Sequence, residues 1–404
     1  MIDSLPLRDA PGKRALVLAG GGIASGVFEI GCLRALDDFF QGFSTADFDI
    51  IVGVSAGSIV ASMLANGITG DEMFKSLIGA SAELPAFSRE MIFKVNRGEI
   101  LSKLRGFPQT YYNAMRRYVK GGSDLTLGEA ILSLTEVWPT AFFEGSGIET
   151  SLRTVFDAPG RTNSFRYLTR KLYVPAVNLN TGETRIFGAG EDLDVPISRA
   201  VMASCALPAF YRPARIGSDD YVDGAIDLNL NIEAAVEAGA KLIIAINPYV
   251  PIFNDPQQLS VPLVSGRAGH LSQKGIVGVI DQVFRIMVAK RIESSFLEIM
   301  RRHPDVDVIT FQPARNDYRM FFYNAMRFSA RIVLAEYGFV STKNALERAW
   351  DGYAEVFSRH GIALNPALVD KEYEVMKRSR FSLDAVVKIL GSVPFLRKQK
   401  KEVA

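Results

Sequence analysis

Apolar positions along this chain fall into two patterns, short continuous runs and longer stretches with helical spacing. Ala15–Ala19 and Lys241–Ile246 are nearly unbroken apolar runs, as expected of strands with both sheet faces covered. Phe48–Val52 and Leu172–Val177 read as further strands, with Thr184–Phe187 as a hairpin partner after the turn signal Asn180-Thr181-Gly182. Helices are predicted over Val27–Phe40, Ser58–Asn66, Ile197–Ala206 and Ile232–Ala238, the last stopped by Gly239. Tyr221–Asp223 is a short apolar strand after the acidic turn Gly217–Asp220, and Val306–Phe311 reads as the last strand.

Other stretches fit the sheet less well. Residues 67–170 hold short helix-like pieces, Asp71–Ala80, Tyr111–Val119, Leu127–Leu134 and Ile148–Phe156, separated by prolines at 85, 108, 139 and 159. This reads as an insertion that either caps a site or packs as plain helix. The run Trp138–Phe143 is apolar enough to line an acyl pocket or to fill a core. Ile276–Arg302 predicts a long amphipathic helix with Ile276, Ile280, Val283, Met287, Ile299 and Met300 near one stripe. Its stripe either packs on the core or docks on a membrane or partner. Tyr318–Phe339 and Thr342–Phe357 read as two more helices, the second stopped at Arg359-His360-Gly361. Residues 1–13 read as a leader, 14–360 as one domain with the insertion at about 67–170, and 361–404 as a helical, basic tail ending in Arg397-Lys398-Gln399-Lys400-Lys401. Such a tail either frays in water or lies on an anionic membrane surface.

The chemistry gathers at two glycine-rich turns. Phe48–Val52 runs into Gly53-Val54-Ser55-Ala56-Gly57-Ser58, and a helix leaves. Strand, Gly-x-Ser-x-Gly and helix make the layout of a nucleophile elbow. Glycine at positions 53 and 57 removes side chains that would clash with the adjacent backbone of a sharp turn. Ala15–Ala19 likewise runs into Gly20-Gly21-Gly22-Ile23-Ala24-Ser25-Gly26 and a helix. Backbone N–H groups in such a loop cradle an anion, either a phosphate or a tetrahedral oxyanion. The spacing is one residue too long for a dinucleotide fingerprint, and no Gly-Lys-Ser/Thr follows. If the two strands are parallel neighbours, both loops share one sheet edge, which favours the oxyanion.

Composition narrows the setting. The 404 residues are 48% hydrophobic with a net charge of +2, which gives no electrostatic case for nucleic acid. The two cysteines, Cys32 and Cys205, read as buried thiols, and no metal-ligand spacing is present. No apolar run reaches the roughly 18 residues needed to span a bilayer. The expected setting is cytoplasmic, with peripheral membrane contact open, and no metal or other cofactor is expected.

A serine hydroxyl needs a base. None of the three histidines, His270, His303 and His360, lies at the end of a core strand. Asp223 does, and Gly224 after it lets backbone and substrate approach. An ordinary aspartate is a weak base, with a pKa near about 4, and burial would raise it. Asp223-Gly224 also fits a simple turn-initiating pair.

Four blocks, in this order, resemble the patatin-like phospholipases: Gly20 to Gly26 with Gly31 after it, Gly53 to Ser58, Ala203-Ser204-Cys205-Ala206-Leu207-Pro208-Ala209-Phe210, and Asp223-Gly224-Ala225. They span roughly residues 14–247. The resemblance implies an α/β fold, a doubly wound, mostly parallel sheet with helices on both faces. It also implies a lipid acyl hydrolase with Ser55 as nucleophile, Asp223 as base, and the amides of Gly20, Gly21, Gly22 and Ile23 as the oxyanion hole. The substrate would be a phospholipid, a lysophospholipid or another acyl ester; a neutral-lipid esterase and a non-catalytic lipid-binding protein are the alternatives. The chain departs from the family at one place. Where the loop usually carries a basic residue before its last glycine, this sequence has Ala24-Ser25, and Gly26 comes one position late.

Overall fold

The computed structural model describes residues 12–103, 105–106, 112, 116, 138–190, 193–227, 230–254, 270–314 and 328–365. The leader through residue 11, the helix over 127–134, most of that over 111–119, the start of that over 318–339 and the tail beyond 365 lie outside them.

The centre is an eight-stranded sheet. In chain order its strands are β1 (Lys13–Leu18), β3 (Ile50–Gly53), β5 (Lys171–Asn178), β6 (Thr184–Phe187), β8 (Ala214–Ile216), β9 (Asp219–Asp223), β10 (Ala240–Ile246) and β11 (Asp307–Phe311). Five run parallel, side by side in the order β11-β10-β1-β3-β5. Antiparallel strands finish the sheet. β5 pairs with both β6 and β9, and β9 pairs with β8. Ala176 and Val177 have partners in β6 and in β9, so those two strands flank β5 on opposite edges.

Strand side chains alternate between two cores. Leu16 and Leu18 of β1, and Leu242, Ile244 and Ile246 of β10, enter one core. Ala15 and Val17, with Ala240, Ile243 and Ala245, enter the other. The first core is covered by α1 (Gly22–Phe39), α2 (Ala56–Ala65), α3 (Gly70–Ile78), α4 (Arg89–Ile92), α5 (Ser146–Phe156), α6 (Ile197–Ser204), and the later helices α9 (Arg331–Arg348) and α10 (Trp350–Arg359). The second is covered by α7 (Ile232–Glu237) and the C-terminal half of α8 (Gly275–Arg302). The fold is therefore α/β, a mostly parallel sheet with helices on both faces.

Several elements differ from the sequence reading. Two ribbons are too short to give a period: β2 (Phe40–Gln41) pairs with β12 (Ala363–Leu364), and β4 (Ala141–Phe143) with β7 (Ala209–Tyr211). Val306–Phe311 is thus not the final strand. α1 begins at Gly22 rather than Val27, so most of the glycine loop is already helix. α9 runs unbroken through 339–342 and ends at Arg348. Gly338 sits inside it because α1 crosses there: a Cβ at Gly338 would lie 2.1 Å from the Phe28 carbonyl oxygen, and one at Gly31 1.9 Å from that of Ala335. The stripe predicted for α8 does not hold as one face: Ile299 is buried in the second core, Ile276, Ile280, Val283, Met287 and Met300 face solvent, and Arg285 is buried.

Candidate active site

Register explains why Ser55 and Asp223 meet. β3 pairs Val52 with Tyr173 of β5, and Ser55 lies three residues past Val52. On β9, Asp223 pairs with Ala176, three residues past Tyr173. The two side chains thus reach the same level along the sheet from chain positions 168 residues apart, and the Ser55 hydroxyl donates to Asp223 Oδ2 at 2.6 Å. Ser55 is 6% exposed and Asp223 1%.

The backbone at Ser55 is strained. Its φ of 52° and ψ of −126° are rare for a side-chain-bearing residue, at a cost of roughly 1–3 kcal/mol. The turn leaves no room for side chains on its flanks. A Cβ on Gly53 would meet the Gly57 carbonyl oxygen at 2.6 Å, and one on Gly57 the Leu18 carbonyl oxygen at 2.5 Å. Neighbours hold the turn in place. The Ser55 amide donates to Ser204 Oγ at 2.9 Å. Its carbonyl accepts from Ser58 Oγ at 2.5 Å and from Cys205 Sγ at 3.1 Å. The sequence flagged Ala203–Phe210 only as a block; Ser204 and Cys205 prove to be the side chains that grip the elbow.

Asp223 Oδ1 accepts from the Ala225 amide at 2.9 Å. Burial raises its pKa to about 7, and the hydrogen bonds from Ser55 and Ala225 oppose the rise without cancelling it. Burial likewise raises the Cys205 thiol, with the Asp223 charge adding to the shift, so that sulfur stays protonated.

β1 and β3 are parallel neighbours, Leu18 pairing with Gly53, so the glycine loop stands beside the elbow at the carboxyl edge of the sheet. Gly21 (φ 133°) and Gly22 (φ 75°) occupy conformations that favour glycine. α1 opens there without a side-chain cap, and the first amides of a helix have no carbonyl partner within it. Gly20 passes so close that a Cβ on it would lie 2.9 Å from that of Ser55. A carbonyl oxygen bound over Ser55 would meet these amides and the positive end of α1.

An apolar cleft of about 950 Å³, counting its open mouth, lies at the serine. Gly22, Ile23 and Ser55 border it, and Met63, Met73, Leu77, Phe87, Met91 and Leu152 are among its walls. The segment at 67–170 thus supplies much of the lining, from α3, α4 and α5. Trp138–Phe143 does not: Phe143 packs edge-on against Phe93, and Trp138 and Phe142 are exposed. His360 is bound to Asp307 at 2.7 Å on β11, away from the serine. Among the described residues no cluster of His, Cys, Asp or Glu could hold a metal ion, and no helix is long and apolar enough to cross a membrane.

The family model described as patatin-like phospholipase matches residues 16–236, more than half of the chain. The chain belongs to the patatin-like phospholipase family. Similar proteins include a cGAMP-activated phospholipase of Vibrio cholerae, 26% identical over 231 residues that cover 54% of this chain and 54% of that one. An uncharacterized protein of Acanthamoeba polyphaga mimivirus is 26% identical over 219 residues, 54% of this chain and 59% of that protein. The chain spans about half the length of the curated relatives it matches. Among solved structures, VipD from Legionella pneumophila aligns over 86% of this chain and 72% of its own at 15% identity and a TM-score of 0.34. The patatin-like match covers the elbow, the glycine loop and Asp223, and ends before α8.

Proposed function

We propose that this chain is a lipid acyl hydrolase that cleaves carboxylic esters of phospholipids or lysophospholipids through a Ser55–Asp223 dyad. The observation that carries the reading is the 2.6 Å hydrogen bond from a strained, cleft-facing serine to a buried aspartate. The acyl chain lies in the apolar cleft with its carbonyl over Ser55. Asp223 Oδ2 takes the hydroxyl proton as Ser55 Oγ bonds to the carbonyl carbon. The carbonyl oxygen becomes an oxyanion held by the amides at Gly20, Gly21, Gly22 and Ile23, an arrangement in which each donor typically contributes about a hundredfold or more in rate. The intermediate collapses, the alcohol leaves with the proton from Asp223, and Ser55 is left acylated. Water then attacks the acyl-enzyme, giving its proton to Asp223, and the fatty acid leaves as Ser55 Oγ recovers that proton. A carboxyl with a pKa of about 7 suits both halves of this cycle near neutral pH.

One observation favours a second substrate class. Ala24 and Ser25 stand where the family usually places a basic side chain, so the loop brings no cation to a phosphate, and a neutral acyl ester fits it equally. A fluorophosphonate probe and a lipid panel test both points. Wild type should label and hydrolyse, while Ser55→Ala should not label and should lose at least about a thousandfold in turnover. A folded wild type that neither labels nor turns over any lipid ester would leave a non-catalytic lipid-binding protein.

A further inference from the structure

α8 is longer than the sheet it packs on. Its 28 residues extend about 42 Å at 1.5 Å per residue. The seven residues of β10 beside it cover only about 23 Å. Residues 303–306 alone join α8 to β11, which pins its C-terminal end at the amino edge of the sheet. The surplus therefore projects past the carboxyl edge, the edge that carries Ser55.

Burial follows this geometry on the core-facing side of the helix, although Leu297 and Met300 near the pinned end are exposed as well. Ile292 and Ile299, near the pinned end, enter the second core. In the projecting turns Ile276 is 76% exposed and Ile280 49%, and Val279, Val283 and Met287 are exposed with them. These positions are three or four apart and so share one face. Lys290 and Arg291, both exposed, follow on the next turn.

The opposite face of the same turns is latched by polar contacts to the loop after β10. Arg285, 4% exposed, donates to Asp281 on α8 at 2.8 Å and to the Val250 carbonyl at 3.2 Å. Gln282 exchanges two hydrogen bonds of 3.0 Å with the backbone of Ile252. The Tyr249 hydroxyl donates to Asp281 at 2.9 Å, and its ring reaches within 3.1 Å of where a Cβ on Gly21 would stand. An apolar-faced projection is thus fastened to a loop that touches the glycine turn.

We infer that the projecting turns of α8, Ile276 to Met287, seat the active edge on an anionic phospholipid surface. The bilayer is chosen over another protein on two grounds. Arg291, and Lys290 in an exposed ion pair with Glu293 at 3.0 Å that water screens, place positive charge behind the apolar turns, where headgroup phosphates would lie. The face also projects from the sheet edge that carries Ser55, although from the sheet face opposite the helices that line the cleft. The inference rests on the proposed reading of that edge as a lipid site.

The test separates seating from chemistry. Binding to vesicles of phosphatidylcholine with phosphatidylglycerol is measured by flotation with Ser55→Ala, so that turnover cannot alter the vesicles. Adding Ile280→Asp and Val283→Asp should weaken binding about tenfold or more, whereas adding Met300→Asp, at the pinned end, should not. In the catalytically intact chain, Ile280→Asp with Val283→Asp should slow vesicle hydrolysis to the same degree and leave hydrolysis of monomeric p-nitrophenyl butyrate unchanged. Unchanged flotation overturns the inference while leaving the hydrolase reading intact. So does a wild-type dimer that the two substitutions make monomeric, since a second copy then covers the face. Vesicle binding lost on substitution, from a wild type that hydrolyses nothing, upholds the seat and removes the proposed chemistry.

Discussion

Asp223 and Asp37 look alike as chemistry and differ in surroundings. Each accepts hydrogen bonds from a hydroxyl and a backbone amide. Asp223 takes Ser55 Oγ at 2.6 Å and the Ala225 amide at 2.9 Å. Asp37 takes the Thr45 amide at 2.5 Å, Thr45 Oγ1 at 3.1 Å and Ser44 Oγ at 3.2 Å. Burial raises both, to about 7 and about 6. Yet Ser44 has ordinary extended backbone, at φ −126° and ψ 155°, and caps a short turn with Asp47, and neither Ser44 nor Asp37 borders the apolar cleft. A carboxyl with a raised pKa beside a hydroxyl is therefore no sign of catalysis by itself. What marks Ser55 is the strain held at its φ of 52°, the cleft in front of it and the uncapped helix start beside it.

The comparison breaks first at the two carboxyls. Asp223→Asn should lower kcat on a short-chain ester by about a thousandfold or more, since an amide cannot take the serine proton. Asp37→Asn should leave kcat within about twofold, because it acts only on a turn. A large loss from Asp37→Asn in folded protein would show that the two sites are not separable.

The glycines give the next contrast. Gly20→Ala forces a methyl against Ser55, 2.9 Å from its Cβ, and against Ala225 at 3.2 Å. A shift of about 1 Å at a reacting group costs on the order of a hundredfold, which kcat would report. Gly42, beside the Asp37 turn, has φ 71°, and a methyl there would meet nothing within 4 Å. Gly42→Ala should cost only about 1 kcal/mol of stability for its left-handed backbone, with no change in rate.

Acidity follows. In the proposed mechanism Asp223 acts as base only when ionised, so kcat/KM should climb with pH and level off above about 7. Stability runs the other way. A carboxyl whose pKa is raised on folding stabilises the fold below its unfolded value, near about 4, and that contribution is lost as pH rises through the folded value. Asp223→Asn should therefore raise Tm at pH 8, with the gain shrinking toward pH 4. A thermal-melt series settles it; a gain independent of pH would mean that the carboxyl is not held in this way.

Much of this was legible in the sequence because the parallel strands are buried on both faces and read as continuous apolar runs. Ala15–Ala19, Phe48–Val52 and Lys241–Ile246 became β1, β3 and β10 within a residue or two. The two glycine turns were legible because backbone crowding there permits little else. Sidedness was not. The α8 stripe was read only in part, since Ile299 meets the core while Ile276 and Ile280 face solvent; periodicity does not say which face meets the core, and here Arg285 goes inward to reach Val250. The break expected between Phe339 and Thr342 is absent, and only the crossing of α1 shows why Gly338 sits inside that continuous helix. The grip of Ser204 and Cys205 on the elbow was equally hidden, since nothing in two small residues 149 and 150 positions away announces that contact.

That grip supplies the smallest contrast. Ser204 and Ser44 each offer a hydroxyl oxygen to a backbone amide, Ser204 to Ser55 at 2.9 Å and Ser44 to Ala46 at 3.2 Å. Ser44→Ala removes a cap at a partly solvated turn, and water can replace the lost acceptor, so the cost should be about 1 kcal/mol with no effect on rate. Ser204→Ala strands the Ser55 amide in a buried site, which costs about 1–3 kcal/mol, and it falls on the strained residue itself. Part of that cost should therefore appear as a drop in kcat of up to about tenfold at unchanged KM, because the strained turn can relax and carry Oγ away from Asp223. Equal melting losses with no difference in kcat would place Ser204 with Ser44, as a cap and nothing more.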